Sequence, residues 1–302
     1  MILASYLLCG LTAPQAADGK SGEAVENAGI CFECHEQISR TMTSNRHQGL
    51  LPGLDASCIR CHSDDIVHSE TGPKDTIGYR PVAGEEKEKE NSICLDCHKD
   101  SQLSLWHGSE HESADLSCAD CHNIHTEDAV LERRLEADVC YRCHQQVRGE
   151  ALKPYAHPIK EGKLACSDCH QPHGGSGPGE LKGFTVTEAC TNCHPAKRGP
   201  FLWEHQPVSE NCNLCHTPHG STMPGMLTTR GPHLCQQCHQ STAELNARHG
   251  RLALGYSDPN NPGMGPGGGS SGISRFVLAR NCMNCHTQVH GSNHPSGAML
   301  ER

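Results

Sequence analysis

The sequence predicts a chain of short α-helices and irregular segments with negligible β-structure. Three observations carry that prediction. Cys-x-x-Cys-His occurs ten times in 302 residues. Aromatic residues make up only 4% of the chain, and the 35% that is hydrophobic includes 21 cysteines. The motifs recur as regularly spaced pairs. A chain this poor in apolar side chains has little with which to build its own core, so bound macrocycles must supply the buried apolar surface. The fold class expected is a multihaem cytochrome c, an elongated, haem-stacked wire.

The motifs are Cys31, Cys34 and His35; Cys58, Cys61 and His62; Cys94, Cys97 and His98; Cys118, Cys121 and His122; and Cys140, Cys143 and His144. They continue with Cys166, Cys169 and His170; Cys190, Cys193 and His194; Cys212, Cys215 and His216; Cys235, Cys238 and His239; and Cys282, Cys285 and His286. This spacing attaches a c-type haem: two thiols bond the macrocycle and the adjacent histidine ligates its iron. Random placement of these residue types would give about 0.1 copies. Structural zinc or a redox dithiol is the alternative for a single Cys-x-x-Cys. Here every pair carries its own histidine, so ten covalently bound c-type haems are expected.

The twenty-first cysteine, Cys9, lies in the apolar stretch Ile2–Leu11. With Ala13–Ala17 after it, residues 1–17 read as a secretory signal. Removing them leaves no thiol unassigned. Haem attachment outside the cytoplasmic membrane agrees with export. The formal charge is −10, and haem propionates would add to it, which disfavours nucleic acid or anionic lipid as a partner; no nucleic-acid partner is expected. Beyond the signal no apolar run reaches the 18 residues needed to span a bilayer.

Motif starts fall into two interleaved series: Cys31, Cys94, Cys140, Cys190, Cys235 and Cys58, Cys118, Cys166, Cys212, Cys282. The repeat is therefore a two-haem unit present five times. Two insertions stretch it. Ser63–Asn91 contains the charged run Glu85–Glu90, read as a solvated segment. Gly255–Gly272 is rich in glycine and proline and reads as a loop. A coarser division gives two pentahaem halves, 18–147 and 166–302, joined by a connector at 148–165. Leu131, Leu135 and Val139 recur every four residues into Cys140, predicting a helix that enters this motif, or a strip of side chains against a haem face.

Thirteen of the 23 histidines lie outside the motifs. Each repeat has one shortly before its second motif: His47, His111, His157, His205 and, in the stretched last repeat, His249. Each has one shortly after it: His68, His125, His173, His219 and His290. Five leading and five trailing histidines supply ten distal ligands for ten irons. His111 and His205 each follow Glu and precede their cysteine by seven residues. His173, His219 and His290 are each followed by Gly. His107, His233 and His294 are surplus, and which distal histidine serves which haem stays open. The methionines hold no regular place, so bis-histidine, low-potential irons are the simpler expectation.

An iron with both axial positions filled offers no site to a substrate. No catalytic residue is therefore assigned, and the expected role is electron transfer through closely spaced haems. A multihaem reductase with one open iron and a soluble periplasmic electron shuttle are the alternatives.

The sequence resembles the MtrA/PioA/DmsE-type decahaem cytochromes. The resemblance rests on the ten motifs, Lys197-Arg-Gly-Pro-Phe-Leu-Trp-Glu-His205, Cys212-Asn-Leu-Cys-His-Thr-Pro-His-Gly-Ser221, Leu234-Cys-Gln-Gln-Cys-His239 and the tail Cys282–Gly297. It implies a periplasmic protein that inserts in an outer-membrane β-barrel porin. There it would link periplasmic electron-carrier cytochromes to an extracellular multihaem cytochrome. A polar wire crossing a bilayer needs such a closed sheath.

Overall fold

The computed structural model describes residues 35–42, 46–47, 61–62, 85–99, 103–239, 281–295, 297 and 299–300. The signal segment, Cys31, Cys34, Cys58, His68, His249 and the 255–272 insertion lie outside them. The chain forms two units. One comprises Met1–Val82 with Asn123–Glu127; the other comprises Ala83–His122 with Asp128–Arg302.

In the first unit, helix α1 (Glu36–Met42) starts directly after His35. Its first turn is closed by the Ile38 N–H on the His35 carbonyl at 3.1 Å. The trailing segment of the second repeat, 123–127, clusters with this unit, and brings His125 to His62.

The second unit contains α2 (Glu85–Leu95), α3 (Glu110–Ser113), α4 (Cys118–Cys121), α5 (Glu136–Cys140), α6 (Gln145–Ala151), α7 (Val186–Thr191), α8 (Gln206–Glu210) and α9 (His233–Gln236), with short 3-10 turns between them. Among the described residues, β-structure is confined to isolated bridges. Among the described residues the buried apolar side chains are few: Trp106, Ala137, Val139, Ala151 and Ala165. Large ones such as Leu105, Leu152, Phe184, Leu202 and Leu214 are half or more exposed. The polypeptide has almost no apolar core of its own, as its composition predicts.

The two motif series occupy different helical positions. First-series motifs close a helix: α2 runs into Cys94, α5 ends at Cys140, α7 contains Cys190 and α9 contains Cys235. Second-series motifs open one: α4 begins at Cys118, and 3-10 turns begin at Cys166, Cys212 and Cys282. Capping explains this. Asn211 and Asn281 accept from the N–H of Asn213 and Met283, satisfying a donor with no helical partner. In eight motifs the histidine N–H reaches the first cysteine's carbonyl at 2.9–3.0 Å. That single α-turn puts residues i, i+3 and i+4 on one side, so both sulfurs and the imidazole emerge together.

The helix predicted from Leu131, Leu135 and Val139 is broken. A 3-10 turn spans Ala129–Leu131 and α5 starts only at Glu136. Val139 is buried, but Leu131 and Leu135 are nearly half exposed, because the polypeptide offers no apolar surface for them. The charged run Glu85–Glu90 is helical, with Glu88 and Lys89 exposed and Lys87 and Glu90 half-buried. Lys87 points inward to the Asp115 carbonyl and to Asp120 at 3.3 Å. Buried Asn91 ties Leu116 and Cys118 to the same helix.

Consecutive repeats interlock through one recurring joint. Tyr155, two residues before a leading histidine, exchanges backbone hydrogen bonds with Ser221, two residues after the next repeat's trailing histidine, at 3.1 and 2.8 Å. Trp203 and Ser292 do the same at 2.9 Å each. At the corresponding joint between the second and third repeats a carboxylate replaces the bridge. Buried Glu180 accepts from the Glu110 N–H at 2.6 Å and from the Gly175 N–H. Glu180→Gln would turn an N–H donor toward one of these amides. The expected cost is about 1–3 kcal/mol, read as roughly ten- to hundredfold faster hydrogen exchange at the Glu110 and Gly175 amides.

Candidate haem-binding site

The joint brings histidines together in pairs. Each pair joins one motif histidine to one that lies outside the motifs. His62 faces His125 with ring centroids 5.8 Å apart, His122 faces His173 at 5.9 Å, His170 faces His219 at 6.1 Å and His216 faces His290 at 6.1 Å. His111 faces His144 at 6.1 Å, His157 faces His194 at 6.2 Å and His205 faces His239 at 6.3 Å. Two imidazoles sharing one metal ion stand about 6 Å apart, centre to centre, given bonds of about 2 Å on either side. The spacing therefore fits a haem iron between each pair.

The pairing has a rule. A trailing histidine meets the second-motif histidine of the preceding repeat. A leading histidine meets the first-motif histidine of the following repeat. All seven pairs obey it, and none joins two histidines of one repeat.

Nδ1 contacts hold the rings in place. The Nδ1–H of His111, His157 and His205 donates to the carbonyls of Pro172 at 3.0 Å, Pro218 at 2.8 Å and Val289 at 2.9 Å. Those carbonyls immediately precede His173, His219 and His290, so each leading histidine is tied to a trailing one. Among the motif histidines, His170 donates to Gly179, His216 to Gly225 and His286 to Met299 through backbone carbonyls at 2.6–2.8 Å. His122 donates instead to the Asp128 carboxylate at 2.7 Å. Such bonds fix the tautomer and leave Nε2 to bind metal. Burial and neighbouring histidines hold His62 below its usual pKa; burial, then His35, does so for His125. Burial, then Lys197 and His216, lowers His290; burial and His170 lower His219 against the pull of Glu150. The neutral imidazole that this favours is the ligating form.

The glycine after a trailing histidine has a steric cause. A Cβ on Gly174 would lie 2.3 Å from the Leu105 carbonyl oxygen, and one on Gly220 2.2 Å from that of Glu150. Both have positive φ, +115° and +146°, where side chains are strained.

The cysteines form a continuous series. Within repeats, the first cysteines of the two motifs lie beside each other: Cys94 by Cys118, Cys140 by Cys166, Cys190 by Cys212 and Cys235 by Cys282. Between repeats, Cys121 neighbours Cys140 and Cys143, Cys169 neighbours Cys193, and Cys215 neighbours Cys238. Motif order along the sequence is thus motif order in space from Cys94 to Cys282. Glu136, Cys140 and Cys166 also gather donor atoms within 4.8 Å of one another. Both sulfurs belong to motifs, however, and Glu136 is bonded to the Ser167 amide and hydroxyl at 2.6 and 2.8 Å.

Residues 157–199 and 205–244 match the family model for a doubled CXXCH motif, and residues 58–136 match the NrfB-like cytochrome c-type model. The multiheme cytochrome MtrA of Shewanella baltica is 41% identical over 92% of this chain and 82% of its own length. The chain belongs to the MtrA family of multihaem cytochromes. The cytochrome c-type protein NrfB of Haemophilus influenzae is 26% identical over 43% of this chain and 68% of its own. Membership makes this chain a multihaem c-type cytochrome, an electron-transfer protein and not an enzyme, with haem bound covalently at its motifs.

Of the surplus histidines, His107 is exposed and pairs with Glu112 at 2.8 Å. His233 opens α9, and the His294 N–H is bonded to the Ser292 hydroxyl at 3.1 Å. Sequence reasoning missed Asp128 and Glu180. Glu180 takes the place that Met226 holds in the next repeat, and Asp128 has no repeated counterpart, so no recurring residue type signals them. It also left the histidine pairing open.

Proposed function

We propose that each of the ten motifs carries a haem held between its own histidine and a distal histidine. The chain would pass electrons along these haems between periplasm and cell surface, inside an outer-membrane β-barrel porin. The observation that carries this reading is the set of seven imidazole pairs at the separation of two ligands on one metal. The remaining motif histidines, His35, His98 and His286, and the remaining leading and trailing ones, His47, His68 and His249, complete the ligand arithmetic.

When bound, each haem supplies a one-electron couple. The chain's residues do the rest. Two thioethers fix each macrocycle, paired imidazoles fill both axial positions against substrates, and carbonyl acceptors hold those imidazoles in one tautomer. Adjacent cysteines in unbroken order keep successive sites close enough for transfer between neighbours. The exposed leucines and Phe184 offer the apolar surface that macrocycles would cover. The connector at 148–165, placed between pentahaem halves, carries Tyr155 and His157 and so takes part in a joint.

Family membership supports the conduit. No helix among the described residues is long and apolar enough to cross a membrane, and a chain of charge −10 cannot face lipid unsheathed. Its partners would be the porin, an extracellular multihaem cytochrome and periplasmic carrier cytochromes. Affinity purification from detergent-solubilised outer membranes is expected to recover a β-barrel protein with this chain. Recovery only as a free monomer would sink the conduit and leave a periplasmic shuttle.

A further inference from the structure

We propose that Asp128 sets the potential of one haem, the one attached at Cys118 and Cys121, below that of its counterpart at Cys212 and Cys215. The proposal rests on the bis-histidine reading above and adds a specific role for a residue outside the motifs and outside the histidine sets.

The motif histidines differ in their acceptors. His170 and His216 each place Nδ1 on a backbone carbonyl nine residues on, Gly179 at 2.7 Å and Gly225 at 2.8 Å. His286 places it on the Met299 carbonyl at 2.6 Å. These are neutral acceptors. His122 places it on the Asp128 carboxylate at 2.7 Å, six residues on, with the two side chains only 28% and 15% exposed. The difference has a local cause. In the third and fourth repeats the chain turns through Gly174 and Gly220 with positive φ and returns a carbonyl to the motif histidine. In the second repeat Thr126 follows the trailing histidine. The segment turns instead into the 3-10 turn Ala129–Leu131, of which Asp128 is the N-terminal flanking residue.

An imidazole that donates to an anion carries more negative charge on its ring than one that donates to an amide carbonyl. Its Nε2 is then a stronger donor, and it stabilises the ferric form more than the ferrous one. Partial burial keeps water from screening the effect. Among these motif histidines three therefore have neutral acceptors and one, His122, an anionic one. The Cys166 site carries a carboxylate behind its other histidine, Glu150 at 3.4 Å from His219 Nδ1, so the comparison is with the Cys212 site, whose His216 rests on a carbonyl. The path from Cys94 to Cys282 passes through the Cys118 site, so Asp128 gives that path a local low-potential step.

The test is a redox titration of the mature full-length protein, with haem quantification and electron paramagnetic resonance, comparing the parent with Asp128→Asn. The variant is expected to keep its haems and its low-spin signals. One haem's reduced-to-oxidised ratio at a fixed potential should rise about tenfold, ~59 mV for a one-electron couple, with the other components unmoved. The same component should change its low-spin g-values as the ring loses anionic character. Superimposable titrations with low-spin signals intact would overturn the proposal. Asp128→Glu covers the case in which the Asn variant matures poorly. It keeps the anion, so its lowest component must stay low, and a rise there would overturn the proposal equally. A high-spin signal in the parent would instead remove the bis-histidine reading, and this proposal with it.

Discussion

His157→Ala is expected to convert one haem in the molecule to a high-spin, five-coordinate state, and that haem is the one attached at Cys190 and Cys193. By sequence proximity His157 belongs with the motif at Cys166, nine residues away. The structure places it opposite His194, 6.2 Å between ring centres, in the next repeat. Double variants separate the two assignments. Loss of a motif histidine removes its haem from the count, so His157→Ala combined with His194→Ala should show no high-spin signal. His157→Ala combined with His170→Ala should retain it. Electron paramagnetic resonance with haem quantification reads both. The opposite pattern would assign His157 to its own repeat and overturn the pairing rule. The Pro218 carbonyl, which accepts from His157 at 2.8 Å, loses its donor in the variant. A second, smaller effect at neighbouring His219 is therefore expected.

Gly220→Ala is the substitution with the largest expected effect on stability. Its φ of +146° is rarely adopted by residues with a side chain, and the new Cβ would lie 2.2 Å from the Glu150 carbonyl oxygen and 3.1 Å from the Ala156 Cβ. Backbone cannot give way as a flexible side chain can. The expected cost is about 2–4 kcal/mol, concentrated at the joint formed by Tyr155 with Ser221 and His157 with Pro218. Limited proteolysis should cut the 148–165 connector about tenfold or more faster, and a high-spin signal should accompany it as His219 withdraws from His170. Gly149→Ala is the control. It sits in α6, its Cβ would meet nothing within 4 Å, and in a helix interior it should be neutral or slightly stabilising. Equal behaviour of the two variants would refute a steric role for Gly220.

These two residues show where the sequence was legible. Gly220 announced itself as part of a repeated His-Gly pair, because the same joint recurs and each copy needs a residue without a side chain. The motif positions were legible for a similar reason: covalent chemistry demands a fixed spacing, and one α-turn satisfies it locally. His157 could be recognised as a ligand candidate, but its partner could not be named, since both neighbouring motifs lay within reach of an irregular chain. The strip Leu131, Leu135 and Val139 misled in part. A period of four implies a continuous helix only where a protein core will receive the apolar face, and the described residues form almost none.

The sequence by itself determined the cofactor chemistry, the five-fold repeat of paired motifs, and the scarcity of core and sheet. Each is a local or compositional property, set by residues a few positions apart. Tertiary structure alone decided the pairing of histidines between repeats and the carboxylate clamp at Glu180. The physical reason is that these contacts join segments whose separation no periodicity fixes. A leading histidine reaches forward and a trailing one reaches back only because the backbone joint at Tyr155–Ser221 and Trp203–Ser292 sets the two segments side by side.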